Sequence, residues 1–185
     1  MDASRLDSFD TYAHNFVFKT GGAPTTITKI AFGFYFATPG LVATFKIAVM
    51  AADTLANSYL PTKPRALLAS DVGIQAPAAS AGTPGFLSLQ ILAAQFPNVG
   101  ALTLTANTVY NLVVYGSSSA GFQTSHAADN SAASIVYGGS LTYPPTAGGA
   151  CFGGYFSGAN PVTATGWTPD WVATANCMNF FVSDA

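Results

Sequence analysis

Apolar and polar residues alternate in short runs along most of this chain, and the strongest such region is residues 99–116, VGALTLTANTVYNLVVYG. Two apolar runs, 102–105 and 108–115, meet there at Ala106 and Asn107. Asn tolerates left-handed backbone better than any residue except Gly, so Asn107 is expected to make a tight corner between two strands. In the second run Val109, Val113 and Tyr115 share one face with Asn111, while Tyr110, Leu112 and Val114 share the other. Both faces are apolar, as in a strand covered on both sides. The run is too short for an ordinary amphipathic helix and too rich in β-branched and aromatic residues. It predicts a central strand of the core.

Other runs follow the same rule. Residues 1–12 are polar and aperiodic and read as an N-terminal arm, with a single domain over 13–185. An arm of that kind is disordered unless it docks on a neighbour. Alternation begins at 14–19 (HNFVFK) and stops at Gly21-Gly22-Ala23-Pro24. Residues 26–36 (TITKIAFGFYF) predict a second strand, with the face carrying Phe32, Phe34 and Phe36 turned to the core. A turn at Pro39-Gly40 leads to a third, 42–50 (VATFKIAVM). The stretch 51–64 is polar, 65–70 is a candidate short strand, and 75–85 (QAPAASAGTPG) is loop material.

Residues 86–91 (FLSLQI) alternate again before the central region. Beyond it, 117–130 (SSSAGFQTSHAADN) reads as a long polar loop, and long loops in compact domains are often functional. Residues 134–141 fit either a short strand or a helical turn, and 143–149 (YPPTAGG) is a loop. A strand at 150–157 (ACFGGYFS), a loop at 159–170 and a closing strand at 176–182 (NCMNFFV) complete the pattern. About ten short β runs with turn punctuation and no amphipathic helix predict an all-β, antiparallel two-sheet β-sandwich of jelly-roll type. Its expected core includes Phe32, Phe34, Tyr110, Leu112, Val114 and Phe180.

Composition sharpens the picture mainly through charge. Charged residues make up 8% of the chain, against a usual figure of about 25%. Glu is absent, all eight acidic residues are Asp, and Ser, Thr, Asn and Gly do the solvating. Disordered chains combine high charge with few aromatics, so this pattern indicates a folded protein. The six basic residues are scattered and the net charge is −2, which leaves no footprint for nucleic acid. So little charge predicts that the molecule buries part of its surface against copies or partners.

No segment has the roughly 18 uninterrupted apolar residues of a membrane span. The start, MDASRLDSFDTYAHNF, lacks the apolar stretch of a secretory signal, so work outside a cell would need another release route or a processed chain. With no signal, the two cysteines, Cys151 and Cys177, are expected as reduced buried thiols rather than a disulfide. Cys-x-x-Cys and Cys/His spacings are missing, so no metal or other cofactor is expected.

Four stretches carry a family likeness: the opening HNFVF, the following TITKIAFGFYF, the centre LTLTANTVYNLVVY, and the close WTPDWVATANCMNFFV. In this order they resemble the jelly-roll modules of bacteriophage fibre, spike and decoration proteins and related carbohydrate-binding modules. The resemblance spans most of the chain and departs at Asn107, where Gly is usual. It implies a non-enzymatic structural component on the surface of a phage-like virion, a homo-oligomer, most often threefold, bound to other virion proteins. A chain that assembles inside a host and leaves by lysis needs no export signal. The alternative it implies is a glycan-binding, receptor-recognition module directed at host-surface polysaccharide.

Residues with chemistry are few. Without Glu, a glycosidase pair would need two aspartates such as Asp129 and Asp170, which nothing positions. His126 lies near Ser117, Ser118, Ser119, Ser125 and Asp129, yet sequence proximity on a polar loop is not the rigid geometry of a triad. Gly148-Gly149 and Gly153-Gly154 lack the strand–loop–helix setting of a phosphate cradle and read as bends or close strand packing. Ala128-Asp129-Asn130 is a fragment of a calcium loop and reads as a turn cap.

The sharpest binding candidate is 166–171, GWTPDW. Sugar rings stack their C–H faces on aromatic rings while a carboxylate accepts their hydroxyl hydrogen bonds. Trp167, Trp171 and Asp170 have that chemistry, with Tyr143 and Tyr137 as weaker candidates. Against this stands the burial of Trp as a plug at the end of the sandwich.

Overall fold

The computed structural model describes residues 6–8, 12–36, 44–51, 66–75, 85–118, 122–125, 135–143, 153–157, 172–174 and 180–185. Its strands, in chain order, are β1 (Leu6–Ser8), β2 (Tyr12–Lys19), β3 (Lys29–Phe36), β4 (Thr44–Ala51), β5 (Leu67–Ser70), β6 (Ile74–Gln75) and β7 (Gly85–Leu92). After a 3-10 turn at Ala93–Gln95 and the one-turn helix α1 (Pro97–Gly100) come β8 (Val109–Ser118) and β9 (Phe122–Ser125). The last four are β10 (Ile135–Gly138), β11 (Gly153–Ser157), β12 (Val172–Thr174) and β13 (Phe180–Ser183).

These strands form two sheets. In one the order is β1-β9-β3-β13-β10, and β7 pairs along the other edge of β3. In the other the order is β12-β11-β2-β8-β4-β5, and β6 shares the β4 edge with β5. The all-β, two-sheet architecture expected from the alternation is therefore present. One pairing departs from an antiparallel sandwich: β10 and β13 run parallel. Their C-terminal ends therefore lie side by side, and Asp184 after β13 binds Ser140 after β10.

β8 is the central strand of its sheet, held by β2 on one edge and β4 on the other. Tyr110, Leu112 and Val114 enter the core, and Asn111, Val113 and Tyr115 on the opposite face are buried too. Two-sided burial is why this strand reads as continuously apolar. The sheets meet through aromatic contacts. Phe16 of β2 stacks on Phe180 of β13 at 3.6 Å, and Phe32 of β3 meets Phe45 of β4 edge-on at 5.0 Å. Such pairs contribute about 0.5–1.5 kcal/mol each beyond their area burial. Phe34 lies in β3, but its side chain is outside the described set.

The expected hairpin between 102–105 and 108–115 does not form. With β2 and β4 on both edges of β8, no edge remains for the first run. Leu104 instead bridges Thr25, with N–H to carbonyl distances of 2.7 and 3.2 Å. The corner itself is as expected: Asn107 has φ 54°. It is tied to the strand end at 20–21. Asn107 N–H donates to the Gly21 carbonyl, and buried Thr20 donates from Oγ1 to the Thr105 carbonyl and accepts Thr108 N–H.

Two further segments differ from their sequence reading. Leu6–Ser8 of the arm pairs with β9 of the same chain. The supposed loop 117–130 begins as the end of β8 and contains β9, whose backbone fills the part of the β3 edge beyond β13. Of the two readings of 134–141, the short strand is the one that forms, as β10. Among the described residues no helix is long and apolar enough to cross a membrane.

Candidate functional site

Of the residues singled out for glycan binding, Trp167, Asp170 and Trp171 lie outside the described residues, and so do Cys151, Cys177, His126 and Asp129. Tyr143 is described and stands beside Tyr137, with ring centroids 6.1 Å apart and planes tilted by 56°. The structure thus brings the two weaker candidates together.

Their setting is the C-terminal end of β2, just beyond Phe16, which pairs with Gly153 of β11. Lys19 N–H and carbonyl pair there with Thr142 at 2.8 and 2.9 Å, and Leu141 is buried below. Tyr137 reaches from β10 across to the other sheet, where its hydroxyl donates to the Val17 carbonyl at 2.7 Å. Burial, and then the neighbouring Tyr143, push the Tyr137 phenol up. Its hydroxyl is therefore a neutral donor committed to the backbone. The two ring planes are tilted to one another rather than coplanar.

The turn after β10 is built on a carboxylate. Asp184 accepts Ser140 N–H through Oδ1 at 2.7 Å and the Ser140 hydroxyl through Oδ2. Gly139 has φ 69°, and a Cβ there would run into Asp184 Oδ1. Partial burial alone would raise the Asp184 carboxyl, but hydrogen bonds from Ser140 and Thr25 outweigh it and hold the group below the usual carboxylate range.

A third arrangement was missed by sequence reasoning. β5 pairs with β4 at Ala48–Met50 and β6 pairs with it at Thr44 and Phe45, so the two are one strand interrupted at 71–73. At this bulge Asp71 turns inward and is 5% exposed, while Val72 is 90% exposed. Leu67 and Leu68 on β5 are also exposed, at 42% and 40%, and Val136 on β10 at 52%. The signal available in the sequence was Asp71-Val72-Gly73, a turn-like triplet inside an apolar run.

Among the described residues no group of three or more His, Cys, Asp or Glu could hold a metal ion. No family model, curated protein or solved structure matches the chain.

Proposed function

We propose that this chain is a non-enzymatic structural subunit that self-associates, most simply as a trimer, on the surface of a phage-like virion. Its place there would be as a capsid decoration or as part of a fibre or spike, and its sandwich would be of the jelly-roll type. The observation that carries the self-associating part is the state of its edges. Edge strands are normally protected by charge, Pro or cover, because their free backbone groups template further pairing. Here β5 (LLAS) and β10 (IVYG) carry no charge, and Leu67, Leu68, Val72 and Val136 are exposed on or beside them. Two different apolar edges on one molecule suit a heterologous contact, which closes into a ring when the rotation allows. The threefold number and the virion setting rest on the resemblance carried by HNFVF, TITKIAFGFYF, LTLTANTVYNLVVY and WTPDWVATANCMNFFV.

Sedimentation equilibrium of the full chain at micromolar concentration tests the assembly. The expected mass is three times the 19.0 kDa of one chain. A stable 19.0 kDa species throughout the range overturns self-association.

A further inference from the structure

Asp71 occupies a corner with an unusual hydrogen-bond balance. Its backbone N–H donates to the Ile47 carbonyl at 2.9 Å, which fixes the bulge to β4. Its side chain leaves the sheet and meets α1, where Oδ1 accepts Asn98 N–H at 3.3 Å. Asn98 replies with Nδ2, which donates to the Ser70 carbonyl at 3.3 Å. The residue before α1, Phe96, has no side-chain acceptor, so Asp71 supplies from a distant strand what an N-cap residue ordinarily supplies. The other oxygen, Oδ2, is buried and has no hydrogen-bond partner among the described residues. α1 and the residue before it bring Val99 and Phe96 into the core, so this one carboxylate joins the bulged edge to the segment that plugs the sandwich.

A bare buried carboxylate oxygen is far more costly when the group is ionised than when it is neutral. Among the described residues, compensating charge is scarce around it. β5, β6, the 3-10 turn and α1 contain no titratable residue, and β4 contributes Lys46. β8 contributes two phenols, Tyr110, which accepts Thr105 N–H, and Tyr115, pushed up to about 12 by burial and by the nearby Asp71. A phenol carries no positive charge in either protonation state, so neither ring can act as a counter-ion to a carboxylate.

We propose that Asp71 is a proton-operated clasp: the neutral carboxyl keeps α1 seated on the β5–β6 bulge, and ionisation loosens it. Burial raises the Asp71 carboxyl against the lowering effect of the Asn98 and Val99 N–H groups. A folded-state value above the unfolded one means that Asp71's contribution is full below the unfolded value and is lost as pH rises through the folded one. The clasp is thus closed in acid and loosened towards neutrality. Loosening lets water reach Oδ2 and frees the Phe96–Val99 segment at the end of the sandwich.

The test is amide hydrogen exchange on the full chain, read as protection factors at Asn98 and Val99 from about pH 4 to 8, with Leu112 and Val114 of β8 as internal reference. The carboxyl carbon of Asp71 is followed by NMR in the same samples. Protection at Asn98 and Val99 is expected to fall by about tenfold for each unit by which the two states' values differ, levelling off once pH has passed the Asp71 titration seen by NMR, while β8 stays constant. Asp71→Asn is expected to remove the pH response. A flat wild-type profile, a fall that lies wholly above the Asp71 titration, or an unchanged response in Asp71→Asn overturns the clasp. The first two readings need only the wild-type chain.

Discussion

At the scale of single residues, two side chains carry contacts that bind distant parts of the chain. Tyr137 spans from one sheet to the backbone of the other, and its hydroxyl satisfies the Val17 carbonyl of β2. Tyr137→Phe keeps the ring and removes that donor, so it is expected to cost about 1 kcal/mol by urea denaturation. Asp184 acts through charge-assisted bonds to Ser140. Because its folded-state value is lowered, the stability it provides is present above the unfolded value and is lost as pH falls through the folded one. Asp184→Asn is therefore expected to lower the thermal midpoint at about pH 7, and the difference from wild type is expected to shrink as pH falls through the Asp184 titration. The group is only partly buried, so the difference is modest and shrinks with added salt.

At the scale of elements, β8 is the strand on which the others depend, because it is the one clamped between β2 and β4 with both faces buried. Leu112 is fully buried in the cluster between the sheets, and Leu112→Ala is expected to cost about 2–5 kcal/mol in chemical denaturation, more than any change on β5. This strand was legible in the sequence, as were β2, β3, β4 and β7, because alternation and β-branched content are local properties that survive whatever the partner is. Asn107 was legible for a similar reason, since its left-handed backbone is a preference of the residue itself. Pairing was not legible. Residues 102–105 have the composition of a strand, yet whether they become one depends on a free edge of β8, and both edges were taken by strands far away in sequence. β9 is too short and too polar to announce itself, β10 is short enough to read equally as a helical turn, and its parallel pairing with β13 is set by a strand more than 40 residues away. Asp71 drew no reading of its own, because nothing around it in sequence shows that α1, about 25 residues later, would need its carboxylate. Of the candidate site, Tyr143 was found with its neighbour Tyr137, while the tryptophan-bearing stretch lies outside the described residues.

At the scale of the whole molecule, low charge and exposed edges point the same way. A monomer with 8% charged residues has little repulsion to hold copies apart, and its uncharged β5 edge ends in a bulge that thrusts Val72 into solvent. A bulge often protects an edge by twisting it away from further pairing; here it also displays an apolar side chain beside Leu67 and Leu68. If this edge is the contact between subunits, a charge placed there should dissociate them without touching the fold. Val72→Lys combined with Leu68→Lys meets that condition at the exposed positions, where surface substitutions usually change stability by no more than about 0.5 kcal/mol each. The matched control is Gln90→Lys, which adds a charge at an exposed position on β7 of the other sheet. The double variant is expected to sediment as a 19.0 kDa monomer with a near-native thermal midpoint measured below its association range, while Gln90→Lys assembles like wild type. Equal assembly of all three proteins would exclude the β5–β6 edge from the contact and leave β10, with Val136, as the surface to charge next.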